Sequence, residues 1–449
     1  MKPVKLTLEQ HIDAFFAEWQ ATTHRVSAAA AANDLSTITD IDVLHHRGPA
    51  NTINRVGSQH LNEAANLLLW REKLGAKLSR ATARKALVDA FVDHLPKARK
   101  TGILSEHAVI ARAAASLKGH RHNDGRYIFP VVFARDCKAT DFRIGAARIM
   151  SKAVFEGSIA GAIDELGKHA DEFAARLMDD WRSHAENFDH FISVDMSGFE
   201  ESMAWPAARD AAETLLNLIR MFAGFAVMDD VRIGNGYIWQ DRQSKLRLDE
   251  DGRIALSSSL GGSGSFLEDD WAKAFDCQLG GFAELLASAV TWHTVNDGRR
   301  HPILERLTYF NRLVAESYCE PHHPIRLVRL ISALEALSVI DRQDKAHNLA
   351  HRCAAAGGWS DTAKYCLIYD AFRDGDRWRN AVVHGDAPAE ESVLGAFHRI
   401  ETHLLDIYLG MLALHAGIAR AVDPHSIRRL RHEFSKRIDL FFWSPSLAV

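Results

Sequence analysis

Residues 378–385 read Trp-Arg-Asn-Ala-Val-Val-His-Gly. Asn380 and His384 are four apart, so a helix stacks them on one face, while Arg379 points elsewhere unless the segment bends or a second subunit contributes. Gly385 is the residue type that ends a helix in the left-handed conformation, which places the string at the end of a helical turn. Outward from it, Leu327, Leu330, Ile331, Leu334 and Leu337 form one apolar stripe and predict a helix over Ile325 to Val339. Ala346 to Ala355 is a second helix, ended by Gly357-Gly358, and Ala363 to Phe372 a third. Val393, Phe397, Ile400, Leu404 and Tyr408 define a long fourth. Short connections between such helices imply an antiparallel bundle.

The expected fold is mainly α in three regions. Residues 1–120 are helical, with a capping box of Thr7 and Gln10 ahead of Ile12, Phe15, Phe16 and Trp19. Further helices are predicted over Leu61 to Leu78 and over Ala81 to Leu95, the latter stopped by Pro96, and the run Ala28 to Ala32 has high helix propensity. Residues 121–300 read as a mixed α+β domain with a small sheet, a sensor or regulatory part. Its expected strands are Tyr127 to Phe133, where Pro130 hints at an edge or a break, Phe191 to Met196, Val231 to Trp239, Lys245 to Leu248 and Ile254 to Leu256. A helix is predicted from about Pro206 to Met228, and a flexible loop over Ser257 to Ser265. Residues 301–449 hold the helical bundle.

The chain has 449 residues, 47% hydrophobic and 25% charged, a globular composition. With a net charge of −4 there is no overall basic field to bind nucleic acid indiscriminately, so any such contact must be a local patch. Five scattered cysteines (137, 277, 319, 353, 366) without a Cys-x-x-Cys pair predict reduced thiols and argue against a zinc ribbon. No leader is expected behind Met1, and Leu215 to Met228, interrupted by Asn217 and Arg220, reads as a buried helix. The expectation is a cytosolic protein without a membrane segment.

Arginine offers a planar cationic fork suited to phosphate, and histidine a proton donor or acceptor near neutral pH. Together they can cut RNA without a metal. An ordinary helix end explains the same residues, with Arg379 paired to Asp376 or Asp386 and His384 as a cap. Glu335, inside the stripe, is expected to pair with an arginine such as Arg329 or Arg379.

The segments Arg329-Leu-Ile-Ser-Ala-Leu-Glu-Ala-Leu, Asn348-Leu-Ala-His-Arg-Cys-Ala and Trp378 to Gly385 together resemble the Apea-like group of the HEPN superfamily, over about residues 300–420. The resemblance implies a four-to-five-helix bundle, a homodimer, and a metal-independent endoribonuclease of prokaryotic phage defence or a toxin system. It maps the catalytic pair onto Arg379 and His384, and the polar residue that follows the arginine onto Asn380. His384 would move the proton of a ribose 2′-hydroxyl, Arg379 would stabilise the phosphate charge, and Asn380 would orient His384 or hold a phosphate oxygen, leaving a 2′,3′-cyclic phosphate. A phage component or small molecule is expected as trigger. Two alternatives stand beside this: a non-catalytic HEPN module for dimerisation or RNA binding, and a ligand-sensing middle domain on a helical scaffold.

Arg428, Arg429, Arg431, Lys436 and Arg437 could track an RNA backbone or simply form a solvated helix face. Phe441-Phe-Trp443 could stack a base, but are expected to pack that helix onto the bundle. The doublets His45-His46, His120-Arg-His122 and His322-His323 lack metal-site spacing, so no metal and no cofactor is assigned.

Overall fold

A computed structural model describes residues 6–443 apart from 33–40, 45–50, 102, 121–123, 134–140, most of 159–187, 225–230, 234–240, 249–253, 262–270, 296–300, 339–344, 387 and 424. The protein is mostly helical with a small five-stranded antiparallel sheet. Its backbone divides into two compact units, one of residues 1–125, 196–206 and 295–299 and one of 126–195, 207–294 and 300–449.

The first unit holds α1 (Leu8–Ala31), a hairpin of β1 (Ile41–Leu44) and β2 (Asn51–Asn54), α2 (Arg55–Arg71), α3 (Arg80–Thr101) and α4 (Glu106–Lys118). The capping box forms: the Thr7 N–H donates to Gln10 Oε1 at 2.8 Å, and the Gln10 N–H to Thr7 Oγ1 at 3.2 Å. Phe15, Phe16 and Trp19 close on Phe91 of α3, the Phe15 and Phe91 rings lying 4.8 Å apart edge to face. Pro96 does not stop α3, which runs on to Thr101. Pro96 is exposed, so the carbonyl that loses its helical partner there can turn to water.

In the second unit the sheet runs β4-β5-β6-β3-β7, formed by β3 (Gly125–Val132), β4 (Asp141–Ile144), β5 (Ala147–Ser151), β6 (His190–Met196) and β7 (Arg232–Ile233). β7 covers β3 only at Val131 and Val132 among the described residues. A two-residue turn joins β4 to β5, and Gly145 there has φ +58°. A Cβ on it would lie 2.4 Å from the Ala287 carbonyl oxygen of α7 (Ala283–Val295), a position only glycine can fill. Helix α5 (Glu201–Ala223) begins five residues before Pro206, which is again exposed, and α6 is Trp271–Leu279. Of the strand expected over Val231 to Trp239, residues 234–239 lie outside the described residues. Ser257 to Gly261 is not a loop: it pairs with Asp241 to Lys245 in a hairpin of β8 (Asp241–Leu248) and β9 (Ile254–Gly261).

The C-terminal helices are α8 (Pro302–Tyr318), α9 (His323–Leu337), α10 (Lys345–Gly358), α11 (Thr362–Val383), α12 (Glu390–Glu401), α13 (Leu404–Ala421) and α14 (Ile427–Trp443). Three differ from the sequence expectation. The third helix extends eleven residues past Phe372 and so contains the Arg379 string. The single long fourth helix is broken into α12 and α13: the Thr402 N–H and hydroxyl both reach the His398 carbonyl, at 3.0 and 2.8 Å, and the next N–H, of His403, turns to Ile400 at 3.1 Å. And α10 ends on Trp359 and Ser360, both left-handed (φ +48° and +72°), while Gly357 serves packing: a Cβ there would meet Ile368 Cδ1 at 2.8 Å.

Helix α13 is long and apolar enough to cross a membrane by length and composition, and 67% of that window is buried within the protein. It meets α10 backbone to backbone, since a Cβ on Gly410 would sit 2.2 Å from the Ala356 carbonyl oxygen. The C-terminal end of α9 is buried, and three helices supply donors to its last carbonyls. Arg306 of α8 donates to Ala336, His415 of α13 to Leu337 at 2.9 Å, and Arg352 of α10 to Ser338 at 2.9 Å. Helix ends leave such carbonyls orphaned, and in a dry core each needs a partner. His415 Nδ1 is buried without a hydrogen-bond partner, and burial pushes its pKa down to about 4.

Two outcomes are expected from these contacts. Gly410→Ala lowers stability by about 1–3 kcal/mol through overpacking, read as a lower urea midpoint, whereas Gly395→Ala, whose Cβ meets only Arg399 Nη1 at 3.6 Å, is neutral or raises it. His415 makes the fold acid-sensitive. The unfolded chain takes up its proton near pH 6.5, the folded chain only near pH 4, so stability is complete above 6.5 and falls as pH drops towards 4. The loss is on the order of 3 kcal/mol, and His415→Gln makes urea midpoints measured across that window fall less steeply than in the wild type.

Candidate functional site

Gly375 brings the candidate residues together. A Cβ on it would lie 2.6 Å from Ile400 Cδ1 of α12 and 3.5 Å from Ile331 Cδ1 of α9, so α11 approaches both helices closely. One turn further along each helix, Arg379 then faces Glu335. The guanidinium Nη2 lies 3.4 Å from Glu335 Oε1, and Nη1 lies 3.9 Å from Asp376 Oδ1 within α11. Asn380 Nδ2 donates to Asp376 Oδ2 at 2.9 Å, and its Oδ1 accepts from Arg379 Nη1 at 3.3 Å. Asp376 is buried, and Arg379 and Asn380 are half-buried. The arginine thus already stands between two carboxylates, and a phosphate reaching it from solution has to compete with them.

His384 is the C-cap of α11. Gly385 follows with φ +89°. Its N–H reaches the Val382 carbonyl at 3.1 Å and the Asp386 N–H reaches Ala381 at 2.9 Å, the pair of bonds that closes a Schellman end. The imidazole is exposed, one helical turn beyond Asn380. Arg379, Asn380, Asp376 and Glu335 therefore form one hydrogen-bonded group, and His384 stands beside it, open to solvent. Of the partners expected for Arg379, Asp376 and Glu335 are found, while Asp386 contributes backbone to the cap. Arg329 pairs instead with Glu320 at 3.1 Å.

The basic helix α14 buries Leu430, Phe434 and Ile438 and exposes Arg428, Arg429, Arg431 and Lys436. Arg437 is turned back to Glu433 at 3.3 Å. This helix packs on α10 and α13, whereas Gly375 and Arg379 of α11 meet Ile400 of α12 and Glu335 of α9. The side chains of Phe441, Phe442 and Trp443 lie outside the described residues, as do His45, His46 and His122. His322 caps α9.

One arrangement escaped the sequence analysis. His347 and His351 of α10 stack at 6.3 Å, and each binds a tyrosine of α11: His347 Nδ1 to the Tyr369 hydroxyl at 2.9 Å, His351 Nδ1 to that of Tyr365 at 2.8 Å. The matching four-residue spacing in both helices was the available signal. No cluster of three or more groups able to hold a metal is present among the described residues.

No protein-family model, curated protein or solved structure matches the chain.

Asp376→Ala removes the acceptor of Asn380 and one carboxylate of Arg379, and is expected to cost about 1–3 kcal/mol. Asp386→Ala, whose side chain is exposed, is expected to stay within about 0.5 kcal/mol. Urea denaturation of the full chain measures both, and equal midpoints for the two variants would remove the Asp376 network from the account of this helix end.

Proposed function

We propose that the C-terminal helices form a HEPN-like bundle and that the protein is a metal-independent endoribonuclease acting as a cytosolic homodimer, in a prokaryotic phage-defence or toxin system. The observation that carries this reading is the placement of His384: an exposed imidazole at a rigid capped helix end, one turn past an asparagine whose amide is fixed by Asp376 and Arg379. His384 takes the proton of a ribose 2′-hydroxyl and returns one to the leaving 5′-oxygen, a role worth roughly 10²- to 10⁴-fold in rate. Arg379 stabilises the charge growing on the phosphate once that phosphate displaces one of its carboxylates. Asn380 holds the arginine plane. Arg428, Arg429, Arg431, Lys436 and Arg437 supply the backbone contacts of bound RNA. The residues before 301 hold the activity in check until a phage component or small molecule releases it.

A second reading is favoured by the Arg379 ion pairs. If Glu335 and Asp376 keep the guanidinium, the bundle dimerises or binds RNA without cutting it.

The test is incubation of the full chain with labelled tRNA and mixed RNA in EDTA, with and without lysate of phage-infected cells. Cleavage leaving 2′,3′-cyclic phosphate ends, reduced at least 100-fold by His384→Ala, is the expected result. Intact RNA in every lane, triggered or not, supports the non-catalytic module. Cleavage equal in wild type and His384→Ala removes His384 from the chemistry.

A further inference from the structure

Helix α11 carries two further arginines on the face of His384. At about 100° of turn per residue, Arg373, Arg377 and His384 fall within roughly 40° of one another, with Asn380 on the same side. Arg379 points elsewhere, towards Glu335. Arg373, Arg377 and His384 are all exposed. Among the described residues neither Arg373 nor Arg377 has a hydrogen bond or an ion pair. Arg377 rests with its guanidinium carbon 5.1 Å from the centre of the Trp378 ring, and Trp378 is half-buried. An aromatic face steadies the cation without using its N–H groups, so the fork stays open to a ligand.

The acids of α11 leave these two cations alone. Asp374 is bonded to Arg399 of α12, and Asp376 to Asn380 and Arg379. Asp370, exposed one turn before Arg373, ends the stripe on that side. On the other side the helix closes at His384 and Gly385. Arg373 and Arg377 stand about 6 Å apart along the axis, and His384 about 10 Å further on. A ligand that uses the whole stripe is an anion whose charge repeats along its length. A single phosphate reaches only one of the two arginines. A nucleic-acid strand carries a charge at every step, and a single strand, freed from the rise of about 3.4 Å that a duplex imposes, can stretch to meet both. Continuity with His384 selects RNA over an acidic peptide, because a strand whose phosphate lies at the imidazole has to continue past it.

We propose that the outer face of α11 is the track of a single-stranded RNA, on which Arg377 and Arg373 bind phosphates to one side of the phosphodiester at His384. The two arginines capture the strand, whatever α14 adds elsewhere on the RNA. The inference deepens the ribonuclease reading and rests on it for the place of the cut; binding itself rests on the exposure and charge of the stripe.

The experiment is fluorescence anisotropy of a labelled single-stranded RNA, methylated on its 2′-oxygens so that it cannot be cleaved, titrated with the full chain between about 50 and 200 mM salt. Wild type is compared with Arg377→Ala, with the double variant Arg373→Ala/Arg377→Ala, and with Arg420→Ala on the exposed end of α13. Each is first shown by thermal melting to be folded. The slope of log K against log salt is expected to become shallower by about 0.7 in the single variant and about 1.4 in the double one, and to stay unchanged in Arg420→Ala. Where unmethylated RNA is cleaved, Arg377→Ala raises KM and leaves kcat in place, because the phosphate it binds is not the one that reacts. The inference is overturned if the wild type does not bind, if the double variant keeps the wild-type slope, or if Arg420→Ala changes the slope as much as Arg377→Ala. It is also overturned if a polyglutamate peptide displaces the RNA as readily as unlabelled RNA does. Binding that depends on Arg373 and Arg377 in a chain that cuts no RNA retains the track and removes the nuclease. Cleavage lost in His384→Ala, with binding and KM untouched in the double variant, retains the nuclease and removes the track.

Discussion

The C-terminal bundle depends on how it closes the buried end of α9. Leu337 and Ser338 are fully buried, and their carbonyls, with that of Ala336, would be costly in a dry interior without donors. Arg306, His415 and Arg352 come from α8, α13 and α10, so a single helix end joins three others. The donors also suit the negative end of the helix dipole: two are guanidinium groups and the third is an imidazole N–H. Arg352 extends the connection outward, with a bond to Ser435 of α14 at 3.1 Å and its guanidinium 5.3 Å from the Phe434 ring centre. That contact adds to the burial of Leu430, Phe434 and Ile438 in placing α14 and its basic face.

The second constraint is the absence of side chains. Gly410 against Ala356, and Gly375 against Ile400, let helices approach more closely than a Cβ would allow. The first crossing sets α10 on α13. The second sets α11 into the angle between α9 and α12, and only then can Arg379 reach Glu335. The candidate site is therefore a product of packing at a glycine one turn away from it. Its polar members are held by one another, while the imidazole that would do chemistry is held only through its backbone.

Periodicity and capping made much of this legible. The apolar stripe of α9, the Thr7 and Gln10 cap, the strand Phe191 to Met196 and the left-handed Gly385 all follow from local rules that tertiary contacts reinforce. The sequence analysis went astray where a residue's local preference was outvoted. Exposed prolines at 96 and 206 remain inside helices because water replaces the lost bond. The break after Thr402 interrupts an apolar repeat that reads as continuous, since a shift from four-residue to three-residue backbone bonding leaves no trace in the hydropathy. The serine run after Ile254 is a strand because an eight-residue partner pairs with it. For the candidate site, the fork, the amide and the imidazole could be named from spacing, and Asp376 and Glu335 as bland partners. Which carboxylate Arg379 takes depends on the glycine crossing between α9, α11 and α12, which no local pattern links.

The turn after α10 shows what it costs to use glycines for closeness. Gly357 lies where α10 meets Ile368 and Ile407, so the reversal of direction falls to Trp359 and Ser360, each in a backbone basin disfavoured by about 1–2 kcal/mol for residues with a Cβ. The chain there is away from its stability optimum, with a bulky indole, 41% exposed, at a site where a smaller, freer residue would be more comfortable. That makes the α10–α11 turn a store of conformational strain at the head of the two helices that carry the His–Tyr pairs.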